Sequence, residues 1–268
     1  MYYIRRVVYY LKSSVTLVRG VRNWPALLKL RGQGGSETRL ELRDGTQFVV
    51  RSLMDAWVVK ETNLDRDYEV HGTAIQDGWT IVDIGAGLGD FTVFAARRTP
   101  HGRVLAYEPA PDSMALLDKN LRLNGTKNVE VFPYAVSSKG GELTLDVSGG
   151  VAVQYRTVGD TSPERGKITV RSVALADVLS GLPGGVCDFL KMDCEGAEYD
   201  TLLNLEAAAL RRVRHICLEY HEGVTKYSHA DLERCFLAQG WRVMVHPSRV
   251  RPELGFLYAE SPAGLPDR

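Results

Sequence analysis

Hydrophobic positions along the chain switch between two periods. Over Arg39–Arg43 and Gln47–Arg51 they alternate on either side of Asp44-Gly45, which predicts a half-covered β-hairpin. Trp57 to Tyr68 predicts a helix leading into the core. Short apolar runs recur at Ile81–Ile84, Val104–Tyr107, Val129–Phe132, Cys187–Met192 and His215–Leu218. Helical stretches lie between them, notably Asp112–Asn124, with Asp112 available as an N-cap and Gly125 just past the end. Gly141–Val147 and Ile168–Val173 predict further strands around a Gly/Ser/Thr-rich loop, Ser148–Gly166, long enough to suggest a functional role. A helix over Leu232–Ala238 precedes a terminal strand pair, Trp241–His246 and Gly255–Ala259. Alternating strands and helices with an antiparallel end predict an α/β fold, its mostly parallel sheet covered by helices on both faces.

A chain of 268 residues can form one large α/β domain with an appendage. The expected division is a helical extension over 1–37 and a main domain over 38–268: the hairpin (38–52), the lead-in helix (53–78) and the core (79–260). Lysine plus arginine equals aspartate plus glutamate at 33 each, so no whole-molecule field attracts nucleic acid, and a small-molecule or glycan partner is expected instead. The four cysteines form no CxxC pair and no zinc spacing, and no segment approaches the roughly 18 uninterrupted apolar residues of a membrane span. A cytoplasmic location is expected. Residues 1–31 change that picture locally. They carry Arg5, Arg6, Lys12, Arg19, Arg22, Lys29 and Arg31 with no acid, interleaved with aromatic and aliphatic residues. Such a segment either packs on the domain or a second subunit, or lies as a basic helix on an anionic membrane.

The chemistry is concentrated in Ile81-Val82-Asp83-Ile84-Gly85-Ala86-Gly87-Leu88-Gly89-Asp90, a strand that runs through an acid into three alternate glycines. A glycine turn at a helix start lets backbone approach a nucleotide or nucleoside closely. Here the spacing is GxGxG, with Asp90 where a dinucleotide-binding GxGxxG has its third glycine. Asp83 would repel a pyrophosphate and suits a cationic, phosphate-free ligand such as S-adenosylmethionine. Nineteen residues past Gly89, Glu108 ends the next strand, where an acid accepts hydrogen bonds from ribose hydroxyls. Asp83, Glu108, Asp193 and Glu219 all fall at predicted strand ends, so one rim of the sheet should collect four carboxylates.

The block Lys191-Met192-Asp193-Cys194-Glu195-Gly196-Ala197-Glu198 is the second diagnostic stretch. Together with the glycine loop, Tyr107-Glu108-Pro109, Asn120 to Gly125, Tyr134-Ala135-Val136 and Leu218-Glu219-Tyr220-His221, it resembles the FkbM family of S-adenosylmethionine-dependent methyltransferases over roughly Leu40 to Glu260. The resemblance implies a class I, Rossmann-like fold with a seven-stranded, mostly parallel sheet and an antiparallel C-terminal strand. It also implies O-methylation of a sugar, glycolipid or natural-product hydroxyl. The cofactor-binding set is then expected at Glu61, Asp83, Gly85, Ala86, Gly87, Gly89, Glu108, Pro109, Ala135, Asp193 and Glu195. Cys194 departs from the family, where an aliphatic residue is more usual.

Asp193, Glu219 and His221 are the expected catalytic residues. A neutral alcohol is a poor nucleophile, and His221, two residues past Glu219, could serve as its base because an ordinary imidazole titrates near neutrality. Asp193 and Glu219 could instead hold Mg²⁺, but Lys191 and the lack of a third oxygen ligand leave that set incomplete, so no metal is assigned. An N-methyltransferase would be expected to show an Asn/Asp-Pro-Pro-aromatic strand end, where this chain has Asp193-Cys194-Glu195-Gly196. An inactive cofactor-binding module stays open as a third reading.

Overall fold

The computed structural model describes residues 2–31, 37–146, 156–157, 166–248 and 250–262. The chain opens with helix α1 (Tyr2–Gly20) and a 3₁₀ turn (Trp24–Arg31), then the hairpin β1 (Thr38–Glu41) and β2 (Gln47–Val50). Helix α2 (Leu53–Lys60) starts on Ser52, whose side chain accepts the Asp55 N–H, and passes into a π-helical turn (Glu61–Asp65). The predicted helix over Trp57–Tyr68 thus starts earlier and ends earlier, stopped by Arg66 at φ 61°.

The core alternates β3 (Thr80–Ile84), α3 (Asp90–Arg98), β4 (Arg103–Tyr107), α4 (Pro111–Asn124) and β5 (Val129–Phe132). Pro111 opens α4 at a position that tolerates its missing N–H, so Asp112 lies in the first turn and is not the N-cap. Four short strands follow: β6 (Ala135–Ser137), β7 (Gly141–Asp146), β8 (Arg156–Thr157) and β9 (Lys167–Ala174). They form a separate small sheet in the order β6-β9-β7-β8. Most of the Ser148–Gly166 loop singled out above lies outside the described residues. Then come α5 (Leu175–Ser180), β10 (Cys187–Met192), α6 (Ala197–Leu203), α7 (Ala207–Leu210), β11 (Val213–His221), α8 (His229–Ala238), β12 (Arg242–Pro247) and β13 (Leu254–Glu260). Glu219 therefore lies within β11, which runs on to His221.

The main sheet has the order β12-β13-β11-β10-β3-β4-β5. Neighbours from β11 to β5 pair in parallel, and β13 pairs antiparallel with both β11 and β12. The central strands β3 and β10 are buried along their whole length, as a sheet covered on both faces requires. The chain leaves β3 toward β4 and β5 on one side and returns later to add β10 and β11 on the other. That reversal opens a crevice at the carboxyl ends of β3 and β10, where such sheets bind ligands.

Candidate active site

Asp83 ends up deep in the sheet rather than in the crevice. Register pairs it with Lys191 on the adjacent parallel strand, so both side chains share a face. The Lys191 ammonium lies 3.1 Å from Asp83 Oδ1 and donates to the Gly85 carbonyl at 2.7 Å, while the Thr92 hydroxyl donates to Asp83 Oδ2 at 2.6 Å. Burial alone would lower the Lys191 pKa, but Asp83, Asp193 and Asp90 outweigh it and hold the ammonium charged. Asp83 is completely buried and does not line the cleft, which corrects its expected role: its cation is internal. Its work is to anchor Lys191, which in turn ties down the glycine loop.

The loop divides by residue. Gly85 and Gly87 line the cleft, at φ 73° and 55°. A Cβ on Gly85 would sit 1.9 Å from the Asp193 carbonyl oxygen, whereas one on Gly87 would meet nothing within 4 Å. Ala86 and Gly89, both expected at the cofactor, are not lining residues. Ala86 is buried and its N–H bonds to the Tyr107 carbonyl, and a Cβ on Gly89 would strike the Leu117 side chain at 2.5 Å. These two positions serve packing between the loop and its neighbours.

Glu108 stands where spacing predicted. Its Oε2 accepts the Gly87 N–H and its Oε1 the Ala110 N–H, both at 2.8 Å. Burial pushes its carboxyl up to about 7, partly opposed by those two N–H groups and Lys191. Each oxygen keeps a lone pair for another donor. The open space at Gly87 beside this carboxylate fits a ribose whose hydroxyls donate, so Glu108, Gly85 and Gly87 would hold the nucleoside end of S-adenosylmethionine. Glu108→Ala should weaken S-adenosylhomocysteine binding by about 2–4 kcal/mol in calorimetry. Wild-type affinity should also rise as pH increases through about 7, because donor hydroxyls bind the carboxylate better than the acid. Unchanged affinity in a folded variant would remove Glu108 from the ribose site.

Around them lies a cleft of about 700 Å³. Glu61, Pro109, Ala135, Asp193, Glu195, Glu219 and His221 line it as expected, and so do Asp65, Asp67 and Asp90. The acidity that suits a cationic ligand thus comes from the cleft wall and not from Asp83. Glu195 is held at φ 52°, a left-handed conformation rare outside glycine, directly before Gly196 at 111°. Cys194 also lines the cleft, its thiol pushed well up by burial and by Glu198.

Asp193, Glu219 and His221 converge, each offering an atom within 4.8 Å of the others. Tyr68 donates to Asp193 Oδ2 at 3.1 Å. His221 Nδ1 lies 2.9 Å from Glu198 Oε1, and Nε2 lies 3.5 Å from Glu195 Oε2. Glu198 is fully buried and also accepts the Gly196 N–H at 2.8 Å. Burial alone would lower the His221 pKa, but the hydrogen bond and charge of Glu198, with Asp193 and Glu219, raise it to about 10. This shift favours the imidazolium at neutral pH and so argues against a base titrating near neutrality. The Glu219 carboxyl is raised well above its usual range by burial and then by Asp193.

One wall of the cleft comes from outside the elements expected to form it. Tyr9 and Tyr10 of α1 line the cleft beside Trp57, with the Tyr10 and Trp57 rings 5.6 Å apart. Tyr9 Oη donates to Glu61 Oε1 at 3.1 Å and Trp57 Nε1 to the same oxygen at 2.7 Å. Buried Lys60 fastens the helix: it donates to Ser13 Oγ at 2.9 Å, pairs with Asp65, and lies 4.6 Å from the Trp57 ring centre. The N-terminal extension packs on the domain, and its part in the cleft could not be read from residues 1–31 alone.

Residues 83–243, more than half of the chain, match the Methyltransferase FkbM domain family. The chain belongs to this family. As an FkbM-family domain it is an S-adenosylmethionine-dependent methyltransferase domain. It is 29% identical over 196 residues to the 31-O-demethyl-FK506 methyltransferase FkbM of Streptomyces tacrolimicus, covering 62% of this chain and 74% of that protein. It is also 29% identical over 201 residues to the AMB antimetabolite synthetase AmbE of Pseudomonas aeruginosa, covering 62% of this chain but only 9% of that protein's length. Among solved structures, precorrin-6y C5,15-methyltransferase from Geobacter metallireducens superposes with a TM-score of 0.42 at 18% identity, over 70% of this chain and 82% of that one.

Proposed function

We propose that this FkbM-family chain methylates a hydroxyl oxygen of a sugar-containing or natural-product acceptor. The observation that carries the reading is the convergence of Asp193, Glu219 and His221 in the cleft that also holds the glycine loop and Glu108. Bound S-adenosylmethionine supplies an electrophilic methyl group; the residues here have to align an acceptor hydroxyl and receive its proton. The Glu198 hydrogen bond and charge hold His221 toward its protonated form, so we assign the base to a carboxylate. Asp193 fits that role: Tyr68 orients its Oδ2, and its own carbonyl abuts Gly85, which fixes it beside the loop. Its carboxylate would take the hydroxyl proton as the methyl passes from sulfur to oxygen, the sulfur–methyl bond breaking to leave the neutral thioether S-adenosylhomocysteine. Protonated His221 then offsets the charge of Glu195 and Glu198, its two ion-pair partners. Tyr10 and Trp57 give the cleft wall aromatic surface on which a sugar or natural-product acceptor could pack. The FkbM relative is named for a 31-O-demethyl compound, which agrees with transfer to oxygen.

The spacing of Asp193, Glu219 and His221 supports one other reading, a divalent cation that activates the hydroxyl in place of a carboxylate base. Incubation of the chain with methyl-labelled S-adenosylmethionine and parallel sets of alcohol and amine acceptors tests the proposal. Label on oxygen, undiminished by a chelator, is the expected result. Label on nitrogen, or cofactor binding with no transfer to any acceptor, would overturn it, and loss of transfer on chelation would favour the metal reading.

A further inference from the structure

Helix α1 has two faces, and only one is used by the domain. Tyr9, Ser13 and Leu17 turn inward, to Glu61, Lys60 and the core around the hairpin. Val7, Val8, Leu11, Val15 and Val18 are exposed, Val7 by 57% and Leu11 by 63%. On a helical projection these five fall within about 100° of arc, on the side opposite the docked residues. Isolated exposed aliphatics need no explanation, but five in one stripe along a helix do. Lys12 and Arg19, both exposed, lie along one border of the stripe, where long cationic side chains reach a headgroup while their stems cover apolar surface. Residues 1–31 contain seven basic residues and no acid in a chain of zero net charge, so the remainder carries the acidic excess. The charge is therefore polarised toward this helix.

We propose that the exposed face of α1 docks on an anionic lipid surface, lying in the interface plane with Val7, Leu11, Val15 and Val18 inserted and Lys12 and Arg19 at headgroup level. Charge complementarity decides against a second copy meeting this face with its own α1. Pairing two such helices would bring their basic borders together with no acid among residues 1–31 to pair them. No helix among the described residues is long and apolar enough to cross a membrane, so contact is at the surface. Because Tyr9 and Tyr10 line the cleft from the docked side of α1, the helix would stand between that cleft wall and the lipid surface.

Flotation of the full chain with phosphatidylserine–phosphatidylcholine vesicles, against phosphatidylcholine alone, tests this. Binding is expected on the anionic vesicles at low salt, with loss in high salt. Leu11→Asp with Val15→Asp should abolish it. Lys12→Glu with Arg19→Glu should weaken it by at least about thirty-fold, as removal of two basic contacts implies. Both variants should retain wild-type S-adenosylhomocysteine affinity, which shows that the fold survives. Failure of the wild type to float, equal binding to neutral vesicles, variants that float like wild type, or a lipid-independent dimer broken by Leu11→Asp would each overturn the proposal.

Discussion

Lys191→Met should leave the protein about 3–5 kcal/mol less stable, the usual cost of stranding one charge of a buried pair. Asp83 is fully enclosed and has the Lys191 ammonium at 3.1 Å as its countercharge. Removing that ammonium also frees the Gly85 carbonyl it holds at 2.7 Å, so the glycine loop loosens with the sheet. Chemical denaturation reads the change. Adding Asp83→Asn to the variant removes the stranded charge, so the double variant should regain much of the loss even if the single variant fails to fold. A single variant within about 1 kcal/mol of wild type, or a double variant no better than the single one, would show that the pair is not the anchor described here.

Asp193→Asn should lower turnover by roughly 10²–10⁴-fold with little change in KM for the acceptor, as loss of a base active only in the transition state requires. Asparagine keeps an oxygen for the Tyr68 hydroxyl, so the geometry survives while proton uptake does not. The pH profile separates this from a histidine base. With His221 raised to about 10, the wild-type rate at saturating S-adenosylmethionine, where the Glu108 ionisation no longer limits binding, should be flat through the usual imidazole range near pH 6.5 and fall as pH climbs toward 10. The sign for stability agrees: a histidine raised in the folded state contributes fully below its unfolded pKa and loses that contribution as pH rises through about 10. A rate that rises through a single ionisation near pH 6.5 would make His221 the base and displace Asp193 from that role.

Much of the frame was legible in the residues. Spacing alone placed Gly85, Gly87 and Glu108 together, because a strand, a glycine turn and the end of the next strand are local in sequence and fixed in geometry. The strand-end rule brought Asp193, Glu219 and His221 to one rim for the same reason. Partners of charge were not legible. Asp83 read as a ligand contact because its countercharge lies on a strand that becomes adjacent only through the sheet order. One signal was present: Lys191 is a lone cation in the apolar run Cys187–Met192, and a lysine inside a buried parallel strand needs a carboxylate neighbour. The part played by Glu198 was not legible either: its carboxylate lies 2.9 Å from His221 Nδ1 and shifts that imidazole upward. The wall supplied by Tyr9 and Tyr10 carried no signal, since aromatic residues in a basic helix fit a membrane as well as a cleft.

The position of β3 between β4 and β10 has a consequence for biosynthesis. As the chain leaves the ribosome, β3, β4 and β5 can associate as soon as residue 132 is available, since their contacts are local. The other edge of β3 waits for β10, more than a hundred residues later. During that interval the nascent half-sheet offers an open edge strand that is apolar at Ile81, Val82 and Ile84, and Asp83 has no ammonium beside it. Docking of β10 closes the edge, neutralises the carboxylate and creates the crevice in one event. Assembly of the binding site is thus tied to the step that removes the most aggregation-prone surface of the growing chain.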